Sequence, residues 1–207
     1  MSTEKAPITK RDRTRAQLLD AAVKVFASRG FEAGSIQEIA AVAGVANGTF
    51  YNYFPTKEAI LEAAGVHFAV GHCERIDACY PHITDGAERM AIGGRHYMQL
   101  ALDQPELARF AMSVALSSKV WDERIRPYIY ADLMLGIKQK HFHVASRDAA
   151  MDMITATNFG AIRSLLLGKV GRSHITATAA TILRGLGMSP KEADEIARRP
   201  LPPLPSL

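Results

Sequence analysis

Apolar residues recur along this chain with a helical period, and no stretch sustains strand alternation. Leu18, Ala22, Val25 and Phe26 give a first helix a single buried face, and Gly30 ends it. Ile36, Ile39, Ala40 and Ala43 fall at i, i+3, i+4 and i+7 and predict a second, short helix. Ser35 precedes that stripe and Glu38 stands three residues on, a capping box that fixes the start. Gly44 closes it, because glycine adopts the left-handed conformation after a helix at no steric cost. Val45 then turns inward, and Asn47-Gly48-Thr49 opens a third helix expected to bury Phe50, Tyr53 and Phe54. With Thr56 as N-cap, a long helix runs from Lys57 to about Tyr80, where Pro81 stops it. Gly65 and Gly71 each cost about 1 kcal/mol inside that helix, which signals close packing, a bend or room for a ligand.

Further helices are predicted near 86–102, 105–117, 120–141, 147–169, 173–187 and 190–199. Pro105 opens one at its first position, and Pro127 kinks or divides another. Ser189, Pro190 and Glu192 form a second capping box for the last helix. The tail from Pro200 to Leu207 favours polyproline II and is read as a stiff segment lying on the surface. The fold class is all-α.

The second and third helices with their tight turn form a helix-turn-helix, whose second helix enters the DNA major groove. Asn47, Thr49, Tyr51 and Asn52 offer hydroxyl and amide groups to phosphates or base edges and carry no negative charge. Lys57, beside helix-terminal N–H groups, suits a phosphate. Ser35 and Gln37, at the start of the preceding helix, complete this face. Lys10, Arg11, Arg13 and Arg15 form a basic cluster that contacts phosphate or an adjacent minor groove. The same residues also fit an ordinary helical hairpin with a solvated polar face.

Composition narrows the reading little. A net charge of +4 and a pI near 9.1 permit nucleic acid without demanding it. Cys73 and Cys79 stand six apart, which is neither a redox pair nor a disulfide scaffold, and a reducing cytoplasm suits them. The polar start lacks a secretory apolar segment, and no apolar run reaches the roughly 18 residues of a membrane span.

The run Ile39-Ala40, Ala43-Gly44-Val45 and Gly48-Thr49-Phe50-Tyr51-Asn52-Tyr53-Phe54-Pro55-Thr56-Lys57-Glu58 resembles the DNA-binding domain of TetR-family transcriptional regulators. Alanine stands at position 46 where that family usually places serine, a poorer N-cap that Asn47 is expected to relieve. The resemblance implies an N-terminal arm and DNA-binding domain over 1–56 and a helical ligand-binding and dimerisation domain over 57–199. It implies a linking helix over 57–80 and a proline-rich tail over 200–207. A cytoplasmic homodimer on a palindromic operator, repressing until a small apolar or aromatic ligand binds, is the expected form.

The dimer surface implied is the last long helix pair: Ile154, Ala161, Ile162, Leu165 and Leu166, then Ala179, Ile182, Leu183 and Leu186. Ala156, Gly160, Ala177 and Ala180 would allow close approach. Packing inside one subunit is the alternative. The implied pocket draws on His67, Phe68, Tyr97, Met98, Phe110, Met112, Trp121, Tyr128, Met134, Asn158 and Phe159. Aromatic and methionine residues at helical spacing also suit a plain core.

Three rival functions stand beside this one: a metal- or redox-responsive regulator, an enzyme, and a non-sensing architectural or protein-binding helical module, which central helices without a cavity would favour. His67, His72, Cys73, Cys79 and His82 are soft or borderline metal ligands within one region. However, adjacent His72 and Cys73 point apart on a helix, and His141-Phe142-His143 offers no better spacing. No nucleophile elbow, phosphate-binding glycine loop, HExxH or dinucleotide fingerprint appears. No enzyme and no cofactor are therefore expected.

Overall fold

A computed structural model describes residues 9–115 and 121–205, with the side chains of 114, 115, 121 and 122 outside that description. Ten α-helices and one π-helical turn account for its regular structure, and the described residues include no strand. They divide into two compact units, Met1–Phe68 and Ala69–Leu207.

In the first unit, α1 (Lys10–Ala33) starts on Thr9, whose hydroxyl accepts from the Asp12 amide in a full capping box. Leu18, Ala22, Val25 and Phe26 are buried along one side, as their spacing predicts. Gly30 interrupts the helix with φ 77°, and only a short turn follows it. Helix α2 (Ile36–Val42) is capped by Ser35 and Glu38 as expected, and Arg29 pairs with Glu38 at 3.2 Å. At its end the Gly44 amide donates to Ala41 O and the Val45 amide to Ala40 O, a Schellman closure with Gly44 at φ 69°. Helix α3 (Asn47–Tyr51) follows. Phe50 is fully buried, and Phe54 packs against it with ring centroids 6.0 Å apart. Tyr53 is only half-buried, because α3 ends at Tyr51 and the helical spacing no longer applies beyond it.

Helix α4 (Lys57–Ala78) begins in the first unit and ends in the second. Thr56 caps it, accepting from the Ala59 amide at 3.1 Å. The second unit then comprises α5 (Gly86–Asp103), α6 (Pro105–Ala115), the π turn Trp121–Ile125, α7 (Arg126–Lys138), α8 (Arg147–Leu166), α9 (Ser173–Gly185) and α10 (Pro190–Ala197). Pro127 divides the predicted 120–141 helix at the π turn, where its missing N–H suits the first turn of α7. Helix α5 runs through the middle of this unit and touches α7, α8, α9 and α10. Met90, Leu133, Met151, Ile154, Leu183 and Leu186 form the centre of its core. At the α5 start a Cβ on Gly86 would lie 2.4 Å from Gly136 N, so α7 approaches with no room for a side chain.

The tail lies on this unit as a packed strap. Leu201 and Leu204 cover the cluster of Ile76, Tyr80 and Ile92, and Arg75 donates twice to Pro205 O, at 3.1 and 2.9 Å.

Candidate nucleic-acid interface and effector pocket

In the first unit, the start of α1 and the exposed side of α3 border one open groove. Lys10, Arg11 and Thr14 form one bank, while Val45, Ala46, Thr49, Asn52 and Tyr53 form the other. Two cations, two hydroxyl-bearing side chains, a phenol and an amide meet there, and no acidic residue lines it among those described. Such a surface binds phosphate electrostatically and offers neutral groups to base edges. Buried Phe50 holds α3 in place from behind, and the Arg15 guanidinium lies over the Phe54 ring at 5.3 Å.

The second unit encloses a cavity of about 670 Å³, part of it open to solvent. Four helices each supply one stripe: Cys73 and Ile76 from α4, Met90, Gly93, Gly94 and Tyr97 from α5, Tyr128, Ile129 and Asp132 from α7, and Ile154, Thr155, Asn158 and Phe159 from α8. Tyr80, just past α4, and Ile125 complete the wall. Its wall is mainly apolar with a few convergent polar groups, the make-up common to small-molecule sites. Burial pushes the Cys73 thiol up to about 12, so this sulfur stays protonated and serves as an apolar wall group.

One charged network backs the cavity. Arg89 Nε donates to Asp132 Oδ1 at 2.6 Å, and its Nη2 donates to Asp77 Oδ1 at 3.1 Å. The Tyr80 hydroxyl donates to Asp132 Oδ2 at 3.5 Å, and the Arg89 guanidinium stacks 4.7 Å from the Tyr80 ring centre. Burial raises the Asp132 carboxyl above its ordinary range, with Arg89 opposing that shift.

Family models match both units. The one described as bacterial regulatory proteins of the tetR family covers residues 18–64, and the tetracyclin repressor-like C-terminal domain covers 85–199. The chain belongs to the TetR family. The solved structure of RolR with its ligand resorcinol shares 30% identity with it, covering 95% of this chain and 98% of that one, at a TM-score of 0.77. The fatty acid degradation regulator FadR from Bacillus halodurans has the same fold at TM-score 0.66 and 23% identity, over 83% of this chain and 98% of that one. The fatty acid metabolism regulator of Bacillus subtilis is 35% identical over 88 residues, which are 42% of this chain and 45% of that protein. The match thus spans less than half the length of that curated relative.

Within this TetR-family chain, the expected DNA-facing residues do not all converge. Arg11, Thr49 and Asn52 share the groove. Asn47, Tyr51, Arg13 and Gln37 are exposed outside its lining. The Ser35 hydroxyl is committed to its cap. Lys57 turns back, donating to Glu32 O at 3.2 Å and lying over the Phe31 ring at 4.5 Å, so it braces α1 against α4. Asn47 does not relieve the alanine at 46, for α3 has no side-chain cap bond. Thr14 and Tyr53 were missed; Thr14 lies three residues after Arg11 and so on the same helix face, a signal open to inspection.

The pocket expectations divide more sharply. Tyr97, Tyr128, Asn158 and Phe159 line the cavity. Met112 lines a small adjoining apolar pocket with Tyr97 and Phe159. Met98 and Phe110 are core residues, buried by neighbouring helices, and Met134 is half-buried away from the cavity. His67 and Phe68 belong to the first unit, where His67 Nε2 bonds Asp20 Oδ1 at 2.8 Å. The Trp121 side chain lies outside the described residues. Asp132, Tyr80 and the glycine pair 93–94 were not anticipated, because nothing in the local sequence separates a cavity stripe from a core stripe.

The expected dimer residues are a correction. Ile154, Ala161, Ile162, Leu165, Ala179, Ile182, Leu183 and Leu186 are all buried within one subunit, and Leu166 is half-buried. They face the core because α8 and α9 pack on α5 and on each other. The exposed stripe of these helices is instead Asp152, Ala156, Gly160 and Arg163, with Ala177, Thr181 and Arg184; Ala180 is buried. The suspected metal ligands are dispersed: Cys73 lines the cavity, and Cys79 Sγ sits 3.6 Å from His96 Nε2. Among the described residues no three His, Cys, Asp or Glu side chains converge as a metal site.

Proposed function

We propose that this chain is a sequence-specific transcriptional regulator, a homodimeric repressor released from a palindromic operator by a small aromatic or apolar ligand. The groove bordered by Lys10, Arg11, Thr49 and Asn52 carries the DNA half of the reading. The cavity in the second unit carries the ligand half, and the resorcinol bound by RolR supports a small aromatic occupant. Dimerisation through the exposed stripe of α8 and α9 would let Ala156, Gly160 and Ala177 bring two subunits close. Two recognition helices must then stand one DNA turn apart, roughly 34–36 Å. A ligand that favours another tilt of α4 changes that separation and lowers affinity for the operator. Its differential affinity for the two states sets the size of the response.

Fluorescence anisotropy tests the reading, first on DNA from immediately upstream of the gene and then on duplexes selected from a random pool. Tight binding to one duplex, reduced at least tenfold by Thr49→Ala/Asn52→Ala with unchanged melting, is the expected result. Binding that follows salt alone and ignores sequence would mean that only electrostatic contact exists, and the regulator reading would fail.

A further inference from the structure

Asn158 presents its amide to the cavity in one fixed orientation. Its Nδ2 donates to Ile154 O at 3.0 Å, and a carbonyl can only accept, so the nitrogen must face that side. Oδ1 is thereby turned the other way, where it is buried without a hydrogen-bond partner. The lack of a side chain at Gly94 leaves space beside it, since a Cβ there would sit 3.2 Å from Oδ1. An apolar ligand seated on this oxygen would leave it desolvated and unbonded, whereas an O–H or N–H donor would satisfy it.

Asp132 is the second acceptor. Its carboxylate is tied to Arg89, but each oxygen has lone pairs to spare for a donor from the cavity. The charge around it is not positive: Arg89 is shared between Asp132 and Asp77, two acids to one guanidinium. No lysine, arginine or histidine lines the cavity among the described residues. An anionic ligand finds no counter-charge there and meets an acid and an oriented amide oxygen instead.

We infer that the effector is a compact neutral aromatic molecule with two hydrogen-bond donors, one taken by Asn158 Oδ1 and one by Asp132, and that free carboxylic acids are rejected. This rests on the cavity being the effector site, and it separates this chain's ligand from a fatty acid. Isoleucines 76, 129 and 154 supply the apolar surfaces for the flat body.

The test is titration calorimetry of the full chain with the three benzenediol isomers, their mono- and dimethyl ethers, benzoate and decanoate. At least one diol should bind, each methylation should weaken it tenfold or more, and the two acids should give no heat. Asn158→Leu should cost the diol at least tenfold while leaving its dimethyl ether, which has no donor, nearly unchanged. Gly94→Ala, which narrows access to Oδ1 without altering Asn158, should act in the same direction, and melting curves establish that both variants fold. Silence from all three diols, binding of either acid as tight as a diol, or methylation without effect would overturn the inference. Anisotropy on the selected duplex, run on the same protein, keeps the two failures apart. Retained sequence-specific binding with the donor rule broken removes only the ligand assignment, whereas loss of that binding removes the regulator reading.

Discussion

Thr49 and Asn52 stand on or beside a five-residue helix whose position is set by residues close by: the Ser35–Glu38 cap, the turn at Gly44 and the Phe50 anchor. Asp132 and Asn158, by contrast, share a cavity with Cys73 and Gly94, and the wall exists only because four helices converge. The first surface is local, exposed and open. The second is distant in sequence, partly enclosed, and backed by a charge network. A local surface tolerates loss of single contacts outside its anchor, while an assembled cavity responds to any change in how its helices pack. This predicts that the two regions fail separately and for different reasons.

The largest effect should come from Phe50→Ala, which empties a fully buried site and costs about 3–5 kcal/mol. Hydrogen exchange should rise throughout residues 18–64 and DNA binding should vanish, while 85–199 stay protected and the diol titration is unchanged. Loss of protection in both regions would break the comparison, for it would make them one cooperative body.

Next comes a pH effect confined to the second unit. Burial depresses the His72 pKa from 6.5 to about 4, with Arg75 and His96 adding like-charge repulsion. The Tyr97 ring faces it edge-on at 5.2 Å. Between those pH values the unfolded chain binds a proton that the folded one does not, so stability is full above pH 6.5 and falls toward pH 4. The loss should reach about 3 kcal/mol by the lower limit. Urea melts of the second unit at pH 7 and 4.5 measure it, and His72→Phe should flatten the slope except for what His96, also depressed by burial, contributes. An unchanged slope in His72→Phe would show that the residue does not resist protonation in the folded state.

The smallest effect sharpens the local side of the comparison. Ser35→Ala removes the hydroxyl of the α2 capping box and should cost about 1 kcal/mol, read as a shifted urea midpoint of the first unit. Ligand binding should be untouched.

These differences also explain what could be read from the chain. Helix boundaries near 86, 105, 147, 173 and 190 agree with the structure to within a few residues, because capping groups and prolines act on their own neighbours. The DNA-facing groove was partly legible for the same reason, and the misplacement of Lys57 arose because its partners, Phe31 and Glu32, lie on another helix. In the cavity, Tyr97, Tyr128, Asn158 and Phe159 were identifiable by type, but Met98 and Phe110 share that type and spacing and are core. The expected dimer residues failed on the same ground: an apolar stripe announces burial without saying what covers it.

By itself, then, the sequence determined the helices, their caps and breaks, the helix-turn-helix and its family, since all of these depend on period, turn chemistry and residues within a few turns. Tertiary structure decided which apolar stripes meet as core and which leave a cavity. It also decided that Arg89 is divided between two acids and that Asn158 turns an unbonded oxygen toward Gly94. Those are consequences of helix-on-helix packing, and burial, charge pairing and desolvation have no value until the partners are brought together.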